Sequence, residues 1–306
     1  MFSIILGLTP FICITLLGFI LGKIKLFNLK NARILNLFLF YIAVPALIIK
    51  IVAQSDITKI DINQVSIYFF MQIFCGLFTY ILTNKFFNRP KAESIIWALT
   101  VALSNHVILI LPIAEIFYGL DITTQVSSII LMDGVILITT ISFFLELTSN
   151  TKLKLSIFLR NLILNPMIMS LLIGLIIKFS NFKVSGSEFE YILVRLADCV
   201  MPVGLFSIGI ILSYYSSKVF NKITLSISFI KLIVSPIIIL LFGFSFLNIE
   251  NYGDLLGVLL VSVGPCGATS IVFCSAYNID PENVIKAIFI STFASIFTIS
   301  YVINLY

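Results

Sequence analysis

The run Ser104-Asn105-His106 stands inside an otherwise apolar stretch that also holds Pro112, and a second apolar stretch carries Gly264-Pro265-Cys266-Gly267. A proline inside a helix removes one backbone hydrogen bond and clashes with the preceding turn, and neighbouring glycine lowers the resistance to unwinding. Both segments are therefore expected to open and expose N–H groups at the starts of two half-helices. Such starts carry the positive end of the helix dipole and suit an anionic group. The Asn105 amide can donate to a carboxylate. We read Asn105, His106, Pro112, Gly264, Pro265 and Gly267 as a candidate substrate-binding set. His106 admits two readings, a proton carrier in the site or a polar core residue satisfied by a neighbouring helix.

Four further ionisable residues, Asp133, Arg195, Asp198 and Lys231, also fall deep in apolar runs. A charge at the centre of a membrane helix costs at least ~2.5 kcal/mol, so it faces a partner or a cavity rather than lipid. These four are candidates for ion or proton coupling. Arg195 and Asp198 are three residues apart, close on one helical face, and a structural ion pair is the competing reading. Asp133 and Asp198 both lie near midplane depth and either can bind a proton.

These residues must be positioned by membrane-spanning helices. Of 306 residues, 60% are hydrophobic and 11% charged, with a mean hydropathy of +1.15, far below the ~25% charged residues of soluble domains. Apolar runs long enough to cross a hydrocarbon core recur throughout. The expected spans are 3–22, 31–53, 64–86, 92–117, 122–147, 157–179, 188–214, 222–247, 254–277 and 281–305. The first is expected to be a retained helix, because no basic residue precedes Lys23. The five cysteines form no C-x-x-C pair and the one histidine cannot complete a zinc site, so neither a metal nor a cofactor is expected.

Most Lys and Arg fall on one side, in the loops around Lys25, Arg89, Lys154 and Lys218, against Lys50, Lys59, Lys178 and Lys183 on the other. The positive-inside rule makes the first side cytoplasmic and places both termini on the outer face. A faint repeat runs through the chain. Pro10 and Pro166 are 156 positions apart, each with Gly eight positions on (Gly18, Gly174); Pro45 and Pro202 are 157 apart, and Pro112 and Pro265 are 153 apart. Five spans per repeat is an odd number, so the halves enter the bilayer from opposite sides, as in many transporters. The expected organisation is a first repeat at 1–147, a short cytoplasmic connection at 148–156 and a second repeat at 157–306.

The run from Ser104 to Gly119 is similar to the fourth helix of the auxin efflux carrier family, with an Asn seven residues before a Pro and a closing Gly. Leu35 to Leu47 resembles its second helix, Ala197 to Gly209 its seventh and Gly264 to Asp280 its ninth. The resemblance implies an all-α integral membrane protein of ten helices in two inverted five-helix repeats, with helices 4 and 9 broken and crossing near mid-membrane at Pro112 and Pro265. It implies a carrier of small organic anions or weak acids that makes and breaks no covalent bond, and a bacterial, malonate-permease-like member in the inner membrane is the closer likeness. The chain departs from the family in having His106, Val107 and Ile110 where small residues and glycines are usual, which bears on pocket size and substrate. Expected partners are the organic anion and the lipid bilayer, with a homodimer compatible and no nucleic acid. A sodium-coupled organic-anion symporter of the bile acid transporter kind is the alternative. An intramembrane enzyme is disfavoured, because Ser104 and His106, two apart, fall on separated helix faces.

Overall fold

The computed structural model describes residues 2–54, 61–148, 164–180, 186–215, 220–246 and 252–305. Among these, every regular element is helical, apart from one isolated antiparallel bridge between Ser104 and Cys266. In chain order the α-helices are α1 (Phe2–Lys23), α2 (Leu29–Phe38), α3 (Val44–Gln54), α4 (Ile62–Ile81), α5 (Lys91–Ala102), α6 (Leu111–Tyr118), α7 (Leu120–Met132) and α8 (Ile138–Thr148). They continue as α9 (Pro166–Phe179), α10 (Glu188–Asp198), α11 (Val200–Tyr215), α12 (Lys222–Phe229), α13 (Ser235–Phe246), α14 (Leu256–Ser262), α15 (Thr269–Ala276) and α16 (Glu282–Asn304). Among the described residues, six continuous helical stretches are long and apolar enough to cross a membrane: Leu29–Gln54, Ile62–Phe86, Leu120–Thr148, Glu188–Tyr215, Lys222–Ser245 and Glu282–Asn304. Of the other expected spans, the first is α1, the sixth is described from Pro166 onward, and the fourth and ninth are interrupted. The connection beyond Thr148, the start of span 6, and Lys59, Lys154, Lys183 and Lys218 lie outside the described residues.

Several helices start on side chains suited to the task. Asn28 accepts from the Lys30 and Asn31 amides at 2.9 and 3.1 Å, and Asn31 returns the bond to the Asn28 amide. Asp61, Asn165, Ser187 and Asn221 cap α4, α9, α10 and α12 in the same way. Each cap satisfies first-turn N–H groups that have no partner within their own helix.

Five π-helical turns widen these helices: Leu39–Ala43, Leu82–Phe86, His106–Ile110, Asp133–Leu137 and Ile230–Val234. Three share one cause. The amides of Val44, Leu111 and Ser235 reach back to the carbonyls of Leu39, His106 and Ile230, and each is followed at once by a proline, Pro45, Pro112 or Pro236. Proline offers no N–H and crowds the turn before it, and a bond lengthened by one residue relieves that crowding without breaking the helix. The consequence for Pro112 differs from the sequence expectation. It stands in the first turn of α6, where an N–H is not required, and the chain opens upstream of it, at Leu103 to Asn105.

The described chain forms two compact units, each drawn from both halves of the sequence. One comprises Met1–Pro10, Asp61–Ile129 and Tyr215–Tyr306; the other comprises Phe11–Ile60 and Ile130–Tyr214. Within the first, α4 packs on α5, α12 on α16 and α13 on α4, with Trp97, Tyr68 and Met71 fully buried and Phe70 stacked on Phe242 at 3.8 Å. Within the second, α3 packs against α9 and α10.

Two close approaches hold the second unit together, and their positions correspond across the repeat. A Cβ on Gly18 would lie 2.2 Å from the Phe206 carbonyl oxygen, and one on Gly209 would lie 2.1 Å from that of Thr15. A Cβ on Gly174 would lie 2.7 Å from the Val52 Cβ and 3.5 Å from the Ile49 Cα. Gly18 and Gly174 are 156 positions apart, and their contact residues Ile49 and Phe206, and Val52 and Gly209, are each 157 apart. Small residues permit this backbone proximity in lipid, where helix packing relies on close contact. Gly18→Val is therefore expected to lower stability by about 1–3 kcal/mol through overpacking, whereas Gly134→Ala, with open space around the added methyl, should be neutral. Unfolding midpoints in detergent, compared at equal protein amount, check this.

Candidate functional site

The fourth and ninth spans are both interrupted, and their interruptions meet within the first compact unit. The α5 helix stops at Ala102, Leu103 is extended, and helical geometry resumes at His106. The α14 helix stops at Ser262 and α15 begins at Thr269. Ser104 pairs with Cys266 in the antiparallel bridge, and the Asn105 amide donates to the Pro265 carbonyl at 3.0 Å. The Ser104 hydroxyl donates to the Val261 carbonyl at 2.7 Å and lies 3.3 Å from that of Pro265. The Gly267 amide reaches the Thr100 carbonyl at 3.3 Å, and the Cys266 amide donates to Ser291 Oγ at 3.0 Å. Open backbone at membrane depth is tolerated only where protein satisfies it, and these bonds do so.

The two kinds of helix end at the crossing are treated differently. Where helices stop, carbonyls accept from side chains: Ala102 from Gln72 Nε2 at 3.2 Å, Val263 from Thr298 Oγ1 at 2.8 Å, and Val261 from Ser104. Where helices start, at His106 and Thr269, no side chain caps the end. At the Thr269 start the Ser270 and Ile271 amides already turn back to the Gly267 and Ala268 carbonyls at 3.4 and 3.1 Å, so the crossing offers the positive ends of two dipoles, with free donors to be sought at the His106 start.

Asn105, His106, Gly264, Pro265 and Gly267 all belong to this crossing and are buried. The Asn105 side chain makes no hydrogen bond among the described residues, which leaves its amide available to a ligand. His106 is buried on the π-turn His106–Ile110. Gly264 and Gly267 act through backbone proximity. A Cβ on Gly264 would meet Ser104 Oγ at 2.7 Å and Ile110 at 2.9 Å, and one on Gly267 would meet Leu103 at 2.7 Å. The Ser104 hydroxyl is engaged by carbonyls.

Lys231 is fully buried in the same unit. Asp133, Arg195 and Asp198 belong to the other one. Asp133 is buried and, like His106 and Lys231, rides on a π-turn, a local form often found at functional positions. Arg195 and Asp198 do approach each other, but at 3.9 Å and with side chains 65% and 56% exposed. Arg195 also lies over the Tyr191 ring, 5.0 Å from its centre. An exposed pair at that distance contributes little to stability.

Of the side chains that bond the opening, Ser104 stood in the run singled out from the sequence, whereas Gln72, Ser291 and Thr298 were passed over. Ser and Asn compete with helical hydrogen bonding, so the Ser104-Asn105 pair was the local signal for the opening. The other three side chains gave none, because their role depends on a helix end distant in sequence.

A chain whose described elements are all helical, with repeated apolar segments, two of them interrupted and bonded to each other at their interruptions, has the build of a membrane transporter. Over residues 3–303 the chain matches the family described as "Membrane transport protein", the auxin efflux carrier-like membrane transport family, and it belongs to that family. It is also similar to proteins named "Uncharacterized transporter YfdV" from Escherichia coli (strain K12), Escherichia coli O157:H7 and Shigella flexneri. With each it shares 24% identity over 280 residues, covering 89% of this chain and 88% of the relative.

Proposed function

We propose that this protein is a secondary carrier for a small organic anion or weak acid such as a carboxylate, working by alternating access around the crossing of spans 4 and 9. The observation that carries the reading is the asymmetry of the helix ends. Carbonyl ends already accept from Gln72, Thr298 and Ser104, while the uncapped starts at His106 and Thr269 stand beside the unengaged Asn105 amide. A site rich in donors favours an anion over a sodium ion, which would need those carbonyls. The glycine contacts of the second unit, related by offsets of 156 and 157 positions, support ten spans in two inverted repeats. We place the protein in a bacterial inner membrane, with the loops around Lys25 and Arg89 cytoplasmic and both termini outside.

The test is uptake by purified protein in proteoliposomes, with radiolabelled acetate and malonate as first probes, under imposed potential or pH gradients, with and without sodium. Uptake of a carboxylate that responds to potential or pH and persists without sodium is the expected outcome. Full-rate uptake of an uncharged solute, indifferent to potential, pH and competing carboxylates, would refute the proposal.

A further inference from the structure

The turn from α1 into α2 carries Lys25, Lys30 and Arg33, and no Asp or Glu precedes Asp56 in the chain. All three side chains are exposed, and among the described residues none enters an ion pair. Lys30 and Arg33, three positions apart, share one face of α2. Exposed Ile24, Leu26, Leu29 and Ile34 stand between and beside them, so basic and apolar side chains alternate along one surface. The backbone beneath is fixed. The Lys25 amide donates to the Gly22 carbonyl at 3.0 Å, and the Leu26 and Phe27 amides to that of Leu21 at 3.1 and 3.2 Å, with Lys25 in the left-handed region at φ 62°. The Phe27 ring meets Phe206 edge-on at 5.2 Å, and the Phe27 carbonyl accepts from the Tyr214 hydroxyl at 3.2 Å. In this way α11 holds the turn within their common compact unit. Asn28 already takes the Lys30 and Asn31 amides, which leaves side chains rather than the helix end as the binding groups. The basic stretch from Lys85 to Lys91 differs, since Arg89 there is paired with Glu93 at 3.8 Å.

We infer that the α1–α2 turn is a docking site for an anionic phospholipid, its headgroup phosphate held by Lys25, Lys30 and Arg33 and its acyl chains beside Ile24, Leu26 and Ile34. Two properties of the patch select this occupant. Its charge has a single sign, which calls for an anion, and Arg33 can take a phosphate through two parallel N–H bonds. Its exposed apolar side chains, in a chain of a membrane transport family, call for hydrocarbon next to that anion. A phospholipid carries both, whereas a free phosphate would leave the apolar side chains in water. Each Lys or Arg near a membrane surface adds to the attraction, so three on a rigid turn should prefer an anionic to a zwitterionic lipid by about 10- to 100-fold. The inference is independent of what the carrier transports.

The experiment is native mass spectrometry of the full chain in detergent, offered equal amounts of phosphatidylglycerol and phosphatidylcholine with identical acyl chains. The wild type is expected to prefer phosphatidylglycerol by about 10- to 100-fold, and a variant combining Lys25→Asn, Lys30→Gln and Arg33→Gln to lose the preference. Asn is chosen at position 25 because it tolerates the left-handed backbone. A second variant, combining Lys85→Gln, Lys91→Gln and Lys222→Gln, removes the same charge from the other compact unit and should keep the preference. No preference in the wild type, or an intact one in the first variant, overturns the site. Equal loss in both variants also overturns it, because that result reports diffuse attraction to net charge. Displacement of the lipid by millimolar inorganic phosphate overturns the lipid as occupant. If the first variant does not insert, Lys30→Gln with Arg33→Gln, both on the exposed face of α2, is read by the same criteria.

Discussion

Asn105→Ala is expected to reduce carboxylate transport by about 10- to 100-fold, the loss of one hydrogen bond to a charged group, with almost no change in unfolding midpoint. The two outcomes separate because the Asn105 side chain makes no hydrogen bond among the described residues. Its backbone keeps the fold, donating to Pro265 and accepting from Leu109, and both bonds survive the substitution. Removing the side-chain amide thus leaves no protein partner unsatisfied and takes one donor from the place where both helix starts converge. Asn105→Asp offers a sharper version, since a carboxylate there turns a donor into a repelling charge beside an anion. Initial uptake rates at several acetate and malonate concentrations, measured with abundance and melting, check both variants. Normal transport by Asn105→Ala, or a large fall in its melting midpoint, would remove Asn105 from the site.

The second large effect is at Gly264. Gly264→Val is expected to abolish transport and to destabilise the protein by about 1–3 kcal/mol, the usual cost of forcing extra atoms into a packed interior. The first added carbon alone would sit 2.7 Å from Ser104 Oγ and 2.9 Å from Ile110. Span 4 cannot retreat without lengthening the bonds from Ser104 to Val261 and from Asn105 to Pro265. Those bonds satisfy open backbone that has no water to turn to. Gly264→Ala should fall between wild type and Gly264→Val. In the same unit Gly76→Ala is the control, because its added methyl meets Ala102 at an ordinary 3.9 Å. Uptake and unfolding of the three variants side by side test the argument, and full activity in Gly264→Val would refute it.

Much of this molecule was legible in its residues. Apolar runs marked the six long helices, since transfer of a side chain into hydrocarbon is a property of that side chain and its near neighbours. The interruption of span 9 was legible as well, because Gly264, Pro265 and Gly267 combine three poor helix formers within four positions. Span 4 misled for a physical reason. Pro112 is its strongest helix breaker by composition, yet a proline can be absorbed by a π-turn, as Pro45 and Pro236 also show.

The sequence by itself determined that this chain lives in lipid, marked the six long apolar helices, and showed that Lys231, Asp133 and His106 fall in apolar runs, where burial has a cost that calls for a purpose. Only the tertiary structure decided where span 4 opens. An interruption at Ser104 is stable because Pro265, Val261 and Thr100 supply or receive bonds across the bridge, and no local pattern shows that those groups will be there. Tertiary packing likewise decided that Gln72 and Thr298 close the carbonyl ends, and that the Arg195–Asp198 pair lies exposed. Burial cost is set residue by residue, whereas an open backbone in a membrane survives only if distant segments complete its hydrogen bonds.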